Sequence, residues 1–403
     1  MRKIRMYRTG FGDCCCLRDR GRNLVVDFGT SNQKIGSRSR TEVFERIWKD
    51  LEGIPRKDLL LTGFLPAHTQ GIVTIWNQGM ASDAFGTVYL PDLFSEKEHS
   101  GILAMLLLAD LLEESYLPGK QVSLLYFLRT LVMQDTRIVL VSRGDEFAGK
   151  YRTLWPECSA LTGYVGGILQ CLNQQESFAW RQLLTEADNL RLAFLEFIKT
   201  RGTAVEEAEV SSAETEPGKG HENRKEAGVR KDLAQVQEGL NRLRISGVLD
   251  TLKTAFARIR RRPQELRDLS GLCFHNRVQG DLNLLFTGDV PPSVLQKIMN
   301  NSDGRVPVYS HYWCIKVPHH GTSSHYFDFS PWTPDLLLIS NGQYYPDEKS
   351  QEKNCRVSAQ YAGLFYIPDT TMLCAEDGCC DGNQNGCTCL DYEIVSPGLY
   401  KDI

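Results

Sequence analysis

Short apolar runs that end at polar loops alternate along this chain with amphipathic stretches of helical period. Ile4-Arg5-Met6-Tyr7 alternates, and residues 14–17 form a short apolar run. Asn23-Leu24-Val25-Val26-Asp27 ends at the turn Phe28-Gly29, so the first thirty residues read as strands. Residues 40–52 place Val43, Phe44, Ile47, Trp48 and Leu51 on one helical face. Residues 58–62 and 87–91 are strand patterns, as are 137–141 and 152–155. Residues 97–133 read as helix with a break at Pro118-Gly119, and 174–200 and 230–260 read as two long helices. Strands return near Leu272, at 282–286, 315–317 and 336–340. Strands that stop at polar tips and alternate with helices predict an α/β layered fold.

Composition narrows this picture. A chain of 403 residues exceeds the usual single-domain length, so one elaborated domain or two are expected. A formal net charge of −4 gives no reason to expect general nucleic-acid affinity. Residues 204–227 are rich in Glu, Ser, Thr, Gly, Lys and Pro with almost no apolar content, and a flexible acidic loop over 202–228 is expected. The apolar run at 102–112 is too short to span a bilayer and carries Asp110. The basic N-terminus has no apolar core behind it, so a cytoplasmic protein without membrane association is expected. In a reducing compartment the 13 cysteines are thiols or metal ligands rather than disulfides.

Three strand-end loops carry candidate chemistry: Thr62-Gly63-Phe64-Leu65-Pro66-Ala67-His68-Thr69-Gln70-Gly71, Thr287-Gly288-Asp289, and Pro318-His319-His320-Gly321-Thr322-Ser323. Each alone is weak, since an Asp after Thr-Gly is usually a turn residue and a His pair before Gly is more often structural. Their order carries the information. With Gly10-Phe11-Gly12-Asp13-Cys14, Val26-Asp27-Phe28-Gly29-Thr30, Tyr89-Leu90-Pro91 and Leu154-Trp155-Pro156, they resemble the metallo-β-lactamase superfamily, in the branch of DNA-uptake proteins and bacterial conflict-system hydrolases. The resemblance covers residues 1–95, 136–157 and 268–345. It implies an αββα sandwich with helical insertions. The sandwich would comprise 1–157 and 268–403, with one insertion at 97–133 and a second, helical one at 158–267. In that geometry Asp13 and Asp27 are structural.

The departures from the family pattern decide the functional expectation. The two leading histidines of the family's metal motif correspond to Gly63 and Leu65, and its aspartate to Ala67; of that motif only His68 remains. A catalytic zinc needs about three protein ligands and an open water position, and a two-metal centre needs more. The remnant candidates are His68, Asp289, His319 and His320, with spacing silent on which of the last two faces the site. Bland readings stand beside them: His68 capping the following helix, Asp289 bonding loop amides, the paired histidines packing a turn. His275, His311 and His325 lie near the motif strands without an assigned role. The expectation is a catalytically degenerate protein that acts as an interaction or regulatory component. The resemblance implies a bacterial antiviral defence setting, with the exposed loop as a point of regulation. The alternative is a single-metal hydrolase acting on a phosphoester or amide through His68, Asp289 and His319.

Two further features remain. Cys374, Cys379, Cys380, Cys387 and Cys389 crowd the segment 374–389, dense enough for a structural zinc, with free thiols as the alternative. Cys14, Cys15 and Cys16 read as a buried strand. Arg258, Arg260, Arg261 and Arg262 form a basic patch that either faces solvent or meets phosphate or an acidic protein partner.

Overall fold

The computed structural model describes residues 2–19, 21–35, 37–80, 84–114, 123–210, 222–280, 282–300, 304, 306–340, 361, 371–375, 392–395 and 399–402. The chain begins with strands β1 (Arg2–Met6), β2 (Cys15–Asp19) and β3 (Arg22–Val26), then a small hairpin, β4 (Lys34–Ile35) and β5 (Arg38–Ser39). Helix α1 (Arg40–Glu52), β6 (Lys57–Leu60), α2 (Pro66–Asn77) and β7 (Thr87–Pro91) follow. Next come α3 (His99–Glu114), α4 (Ser123–Leu131), β8 (Arg137–Val141), β9 (Glu146–Phe147) and β10 (Tyr151–Trp155). A helical run holds α5 (Cys158–Leu169), α6 (Gln174–Val210), α7 (Glu222–Ile245), α8 (Val248–Arg258) and α9 (Glu265–Leu269). The chain returns through β11 (Cys273–Asn276), β12 (Leu284–Phe286), α10 (Pro292–Asn300), β13 (Cys314–Lys316) and β14 (Leu336–Ser340). It ends with β15 (Thr371–Ala375), β16 (Tyr392–Val395) and β17 (Leu399–Asp402).

The protein is mixed α/β and divides into two units. The first comprises Met1–Pro91, Val141–Pro156 and Gly271–Ile403, and the second Asp92–Leu140 and Glu157–Ser270. The two helical insertions expected separately therefore belong to one unit. They share a core, because α3 packs against α4, α5, α6, α8 and α9.

In the first unit one sheet runs β17-β16-β1-β2-β3-β6-β7. Its β1, β2 and β3 are antiparallel, and β3, β6 and β7 are parallel. The other sheet runs β15-β14-β13-β12-β11-β10-β9. It repeats the scheme: β10, β11 and β12 are antiparallel, and β12, β13, β14 and β15 are parallel. Both sheets thus hold parallel strands whose carboxyl ends carry the polar loops. The apolar strands β6, β7, β12, β13 and β14 are buried almost throughout, as parallel strands covered on both faces are. The rings of Tyr89 on β7 and Phe147 on β9 lie 5.3 Å apart, a contact between the two sheets. Cys14, Cys15 and Cys16 are buried at β2, as expected of small apolar side chains. Helix α1 opens with a capping box, Ser39 and Glu42 bonding reciprocally. It buries Val43, Phe44, Ile47, Trp48 and Leu51, the face that periodicity predicts.

In the second unit α3 is buried all round from Ile102 to Ala109 and again at Leu111. This is the signature of a helix at the centre of its unit. Its one buried charge, Asp110, meets Arg267 of α9 at 2.6 Å and accepts from the Leu124 amide at 2.9 Å. Two sequence expectations are corrected here. The span 202–228 is not one loop, because α6 continues to Val210 and α7 starts at Glu222. Low apolar content rules out burial, not helicity, and the Glu and Ala of this stretch are strong helix formers. The helix expected over 230–260 is broken, since Gly247 takes a left-handed φ of 77° between α7 and α8.

Arg267 is mostly buried against Asp110 and also reaches the exposed Glu113 at 2.6 Å, so deleting Asp110 leaves the guanidinium with only a solvent-screened partner. Asp110→Ala is expected to lower stability by about 2–3 kcal/mol, measured by urea denaturation, while Asp110→Ala/Arg267→Met recovers most of the loss.

Candidate functional site

The strand ends of the two sheets supply the residues of one buried polar cluster in the first unit. Asp27 ends β3, Thr62 and His68 follow β6, Asp289 follows β12, and Lys316 closes β13. Asp13 precedes β2, His320 lies in the turn Pro318–Gly321, and Ser340 ends β14. All are buried. Ligand sites of open α/β sheets form at such carboxyl ends.

The loops that present these groups lie backbone against backbone. The Asp13 amide donates to Ala67 O at 3.1 Å and the Gly29 amide to Asp13 O at 3.1 Å. A Cβ on Gly12 would stand 2.1 Å from Gly29 O, and one on Gly29 2.4 Å from Pro66 O, so both positions need glycine. Helix α2 begins with Leu65 as N-cap and Pro66 in its first turn. His68 therefore does not cap the helix; it projects from the first turn into the cluster.

His68 is held from both sides. Its Nδ1 lies 3.1 Å from Asp27 Oδ2 and its Nε2 2.9 Å from Asp289 Oδ2. Asp27 also accepts from the Thr62 amide at 2.7 Å and the Thr62 hydroxyl at 2.6 Å. A ring with a carboxylate at each nitrogen donates from both, which is the imidazolium form. Burial alone would hold the His68 pKa down, but Asp27 and Asp289 outweigh it and raise it well above 6.5. Burial also opposes ionisation of Asp289, yet His68, with His319 and His320, brings its pKa well below the usual range. Asp27 goes the other way, because burial outweighs the pull of His68. Asp289 is thus the carboxylate that carries charge opposite the imidazolium.

A second ion pair lies beside the first. Lys316 Nζ is 2.9 Å from Asp13 Oδ1 and donates to Val317 O at 3.2 Å. Burial disfavours charge on both, but Lys316 lowers the Asp13 pKa and Asp13 raises that of Lys316. Ser340 donates its hydroxyl to Asp13 as well. His320 Nδ1 is 3.0 Å from Ser340 O, so this nitrogen carries the proton and Nε2 keeps its lone pair. Burial pushes the His320 pKa down to about 4, so the ring is neutral at pH 7.

The paired histidines divide. His320 is buried in the cluster, while the half-buried His319 stacks on His325 with ring centroids 4.2 Å apart. His275 stacks on Tyr309 at 4.5 Å and bonds Tyr312 at 3.1 Å, and His311 bonds Thr333 O at 2.8 Å, which are packing roles. Sequence reasoning missed Lys316 and Ser340. A lone lysine within Trp313-Cys314-Ile315-Lys316-Val317 was the signal, because a charge in an apolar strand needs a buried partner.

The donor set of a metallo-β-lactamase centre is not met here. Gly63, Leu65 and Ala67 offer no side-chain donor, and the remaining imidazole has a carboxylate at each nitrogen. A Cβ on Gly63 would stand 3.2 Å from His68 Cδ2, so the His68 ring crowds the space of a side chain there.

The other candidates lie elsewhere. Arg258 is bonded to Glu176 and to Cys171 O, and Arg261 lies 5.7 Å over the Tyr164 ring, near Glu265. Both make these contacts within the second unit while remaining about half exposed. Arg260 and Arg262 are exposed as well. Cys374 lies in β15, and Cys379, Cys380, Cys387 and Cys389 lie outside the described residues. Among the described residues no helix is long and apolar enough to cross a membrane. No family model matches the chain, and no curated protein matches it.

The shifts fix the pH dependence of stability. His68, raised in the fold, contributes stability that is complete below its unfolded pKa of about 6.5 and is lost as pH rises through its higher folded value. His320 and His275, lowered to about 4 and about 3, act oppositely. The unfolded chain takes up their protons first, so stability falls as pH drops from about 6.5 toward those values. Melting temperature measured against pH is expected to peak near neutrality. His68→Gln should flatten the alkaline limb and His275→Gln the acid limb; unchanged limbs in both variants would contradict the assignment.

Proposed function

We propose that this protein is a catalytically degenerate relative of the metallo-β-lactamases, with an αββα sandwich as its first unit and a helical unit that engages a protein partner. The observation that carries this reading is His68. It is the one motif residue retained, and Asp27 and Asp289 take both of its nitrogens at 3.1 and 2.9 Å. An imidazolium has no lone pair to give a metal, and the positions that should supply further ligands hold Gly63, Leu65 and Ala67. Two sheets that each join antiparallel to parallel strands, with polar loops at the parallel ends, support the family assignment. The seven ordered motif matches support it independently.

The role left to such a scaffold is binding. In the second unit Phe178, Leu192 and Ile245 are each at least half exposed, on α6 and α7. Apolar side chains of this kind form the buried centres of partner interfaces. The antiviral setting follows from the resemblance alone.

One observation favours the single-metal alternative. Asp289 Oδ1 is buried without a hydrogen-bond partner among the described residues, and His320 Nε2 keeps its lone pair nearby. Turnover separates the two readings. With zinc or manganese and a chromogenic phosphodiester, wild type and Asp289→Ala are expected to agree within about twofold at background level. Metal-dependent turnover that Asp289→Ala abolishes, with folding intact by circular dichroism, would establish the hydrolase instead.

A further inference from the structure

Three acceptor groups converge in the cluster. Asp13, Asp289 and His320 each offer a ligand atom, all within 4.8 Å of one another and all buried. Asp289 Oδ1 has no hydrogen-bond partner among the described residues. His320 Nδ1 faces the Ser340 carbonyl at 3.0 Å, which leaves Nε2 as a bare acceptor. Lone pairs brought together in a buried place repel unless something positive stands among them. In the fold family that this site resembles, metal ions supply that charge. Here two positive groups stand beside them, the His68 imidazolium 2.9 Å from Asp289 Oδ2 and the Lys316 ammonium 2.9 Å from Asp13 Oδ1.

We propose that the chain supplies its own cations to this site, Lys316 against Asp13 and His68 between Asp27 and Asp289, so that the site is a metal-independent brace between the two sheets. The placement fits a brace. Asp13 and Asp27 belong to loops of the first sheet, and Lys316 and Asp289 to strand ends of the second. Each ion pair ties one sheet to the other: Asp13 to Lys316, and His68, after β6, to Asp289, after β12. A primary ammonium has three N–H donors, and the Asp13 and Val317 oxygens face two of them.

The proposal rests on the non-catalytic reading and deepens it, and zinc added to purified full-length protein tests it by thermal melting. Wild type and Asp289→Asn are expected to show the same zinc-induced shift, whatever zinc binds elsewhere on the chain. Lys316→Met should lower the melting temperature by roughly 10 °C. It leaves the Asp13 carboxylate without its cation beside Asp289 and His320, so zinc should restore part of the loss, and Lys316→Met/Asp289→Asn should respond no more than wild type. Should Lys316→Met fail to fold, Asp13→Asn/Lys316→Met removes charge and countercharge together and is expected to fold. The proposal is overturned if wild type shows a zinc-induced shift that Asp289→Asn removes, or if Lys316→Met melts as wild type does. Zinc taken up at this site by wild type without phosphodiester turnover would sink the brace and leave the non-catalytic reading standing. Uptake with turnover would sink both.

Discussion

Two ion pairs placed out of water, with a third buried carboxyl beside them, hold the first unit to one arrangement. Asp13, Asp27 and Asp289 each need a positive or donating partner, and His68 and Lys316 are the cations that meet them. An isolated buried charge costs several kcal/mol even after relaxation, so these groups are tolerable only in pairs. The pairs form only when β3, β6, β12 and β13 are in place together. The tight loops follow from the same requirement. Gly12 and Gly29 let the Asp13 and Asp27 turns come within backbone contact of α2, which delivers His68. Removing one partner is therefore worse than removing two.

The chemistry of the site follows from how its lone pairs are spent. An imidazole becomes a metal ligand when one nitrogen is held by a neighbour and the other is free. His320 meets that condition and His68 does not, though His68 belongs to the loop in which the family's ligands are concentrated. The two histidines thus take opposite protonation states a few residue widths apart. Burial keeps His320 neutral, and two carboxylates keep His68 charged. The difference lies in their neighbours and not in the residue type.

Much of the first unit was legible in the sequence because its signals are local. The period of α1, the apolar runs of β12, β13 and β14, and the polar tips at Asp27, Asp289 and His320 can each be read within a few residues. Pairing across the chain could not be read. Nothing in Gly12-Asp13 announces Lys316, and nothing in Pro66-Ala67-His68 says that both ring nitrogens are taken. The choice between His319 and His320 turned on left-handed backbone at both residues, which spacing does not encode. In the helical unit, composition misled at 202–210 and 222–228, since charged helix formers without apolar neighbours resemble linker. Ser246-Gly247 was the overlooked stop inside the pattern at 230–260. The union of 92–140 with 157–270 is a matter of shared core, visible only once α3 is seen buried on every side.

The order of the chain gives the paired charges a history. Asp13, Asp27 and His68 leave the ribosome early, while Asp289 and Lys316 follow more than 200 residues later, after the whole helical unit. Until then Asp13 and His68 lack their partners from the second sheet, and an unpaired charge is better hydrated than buried. Domains of such discontinuous sequence gain their stability late, when distant segments meet. The pairs Asp13–Lys316 and His68–Asp289 are therefore contacts that the chain can complete only once β13 has been made.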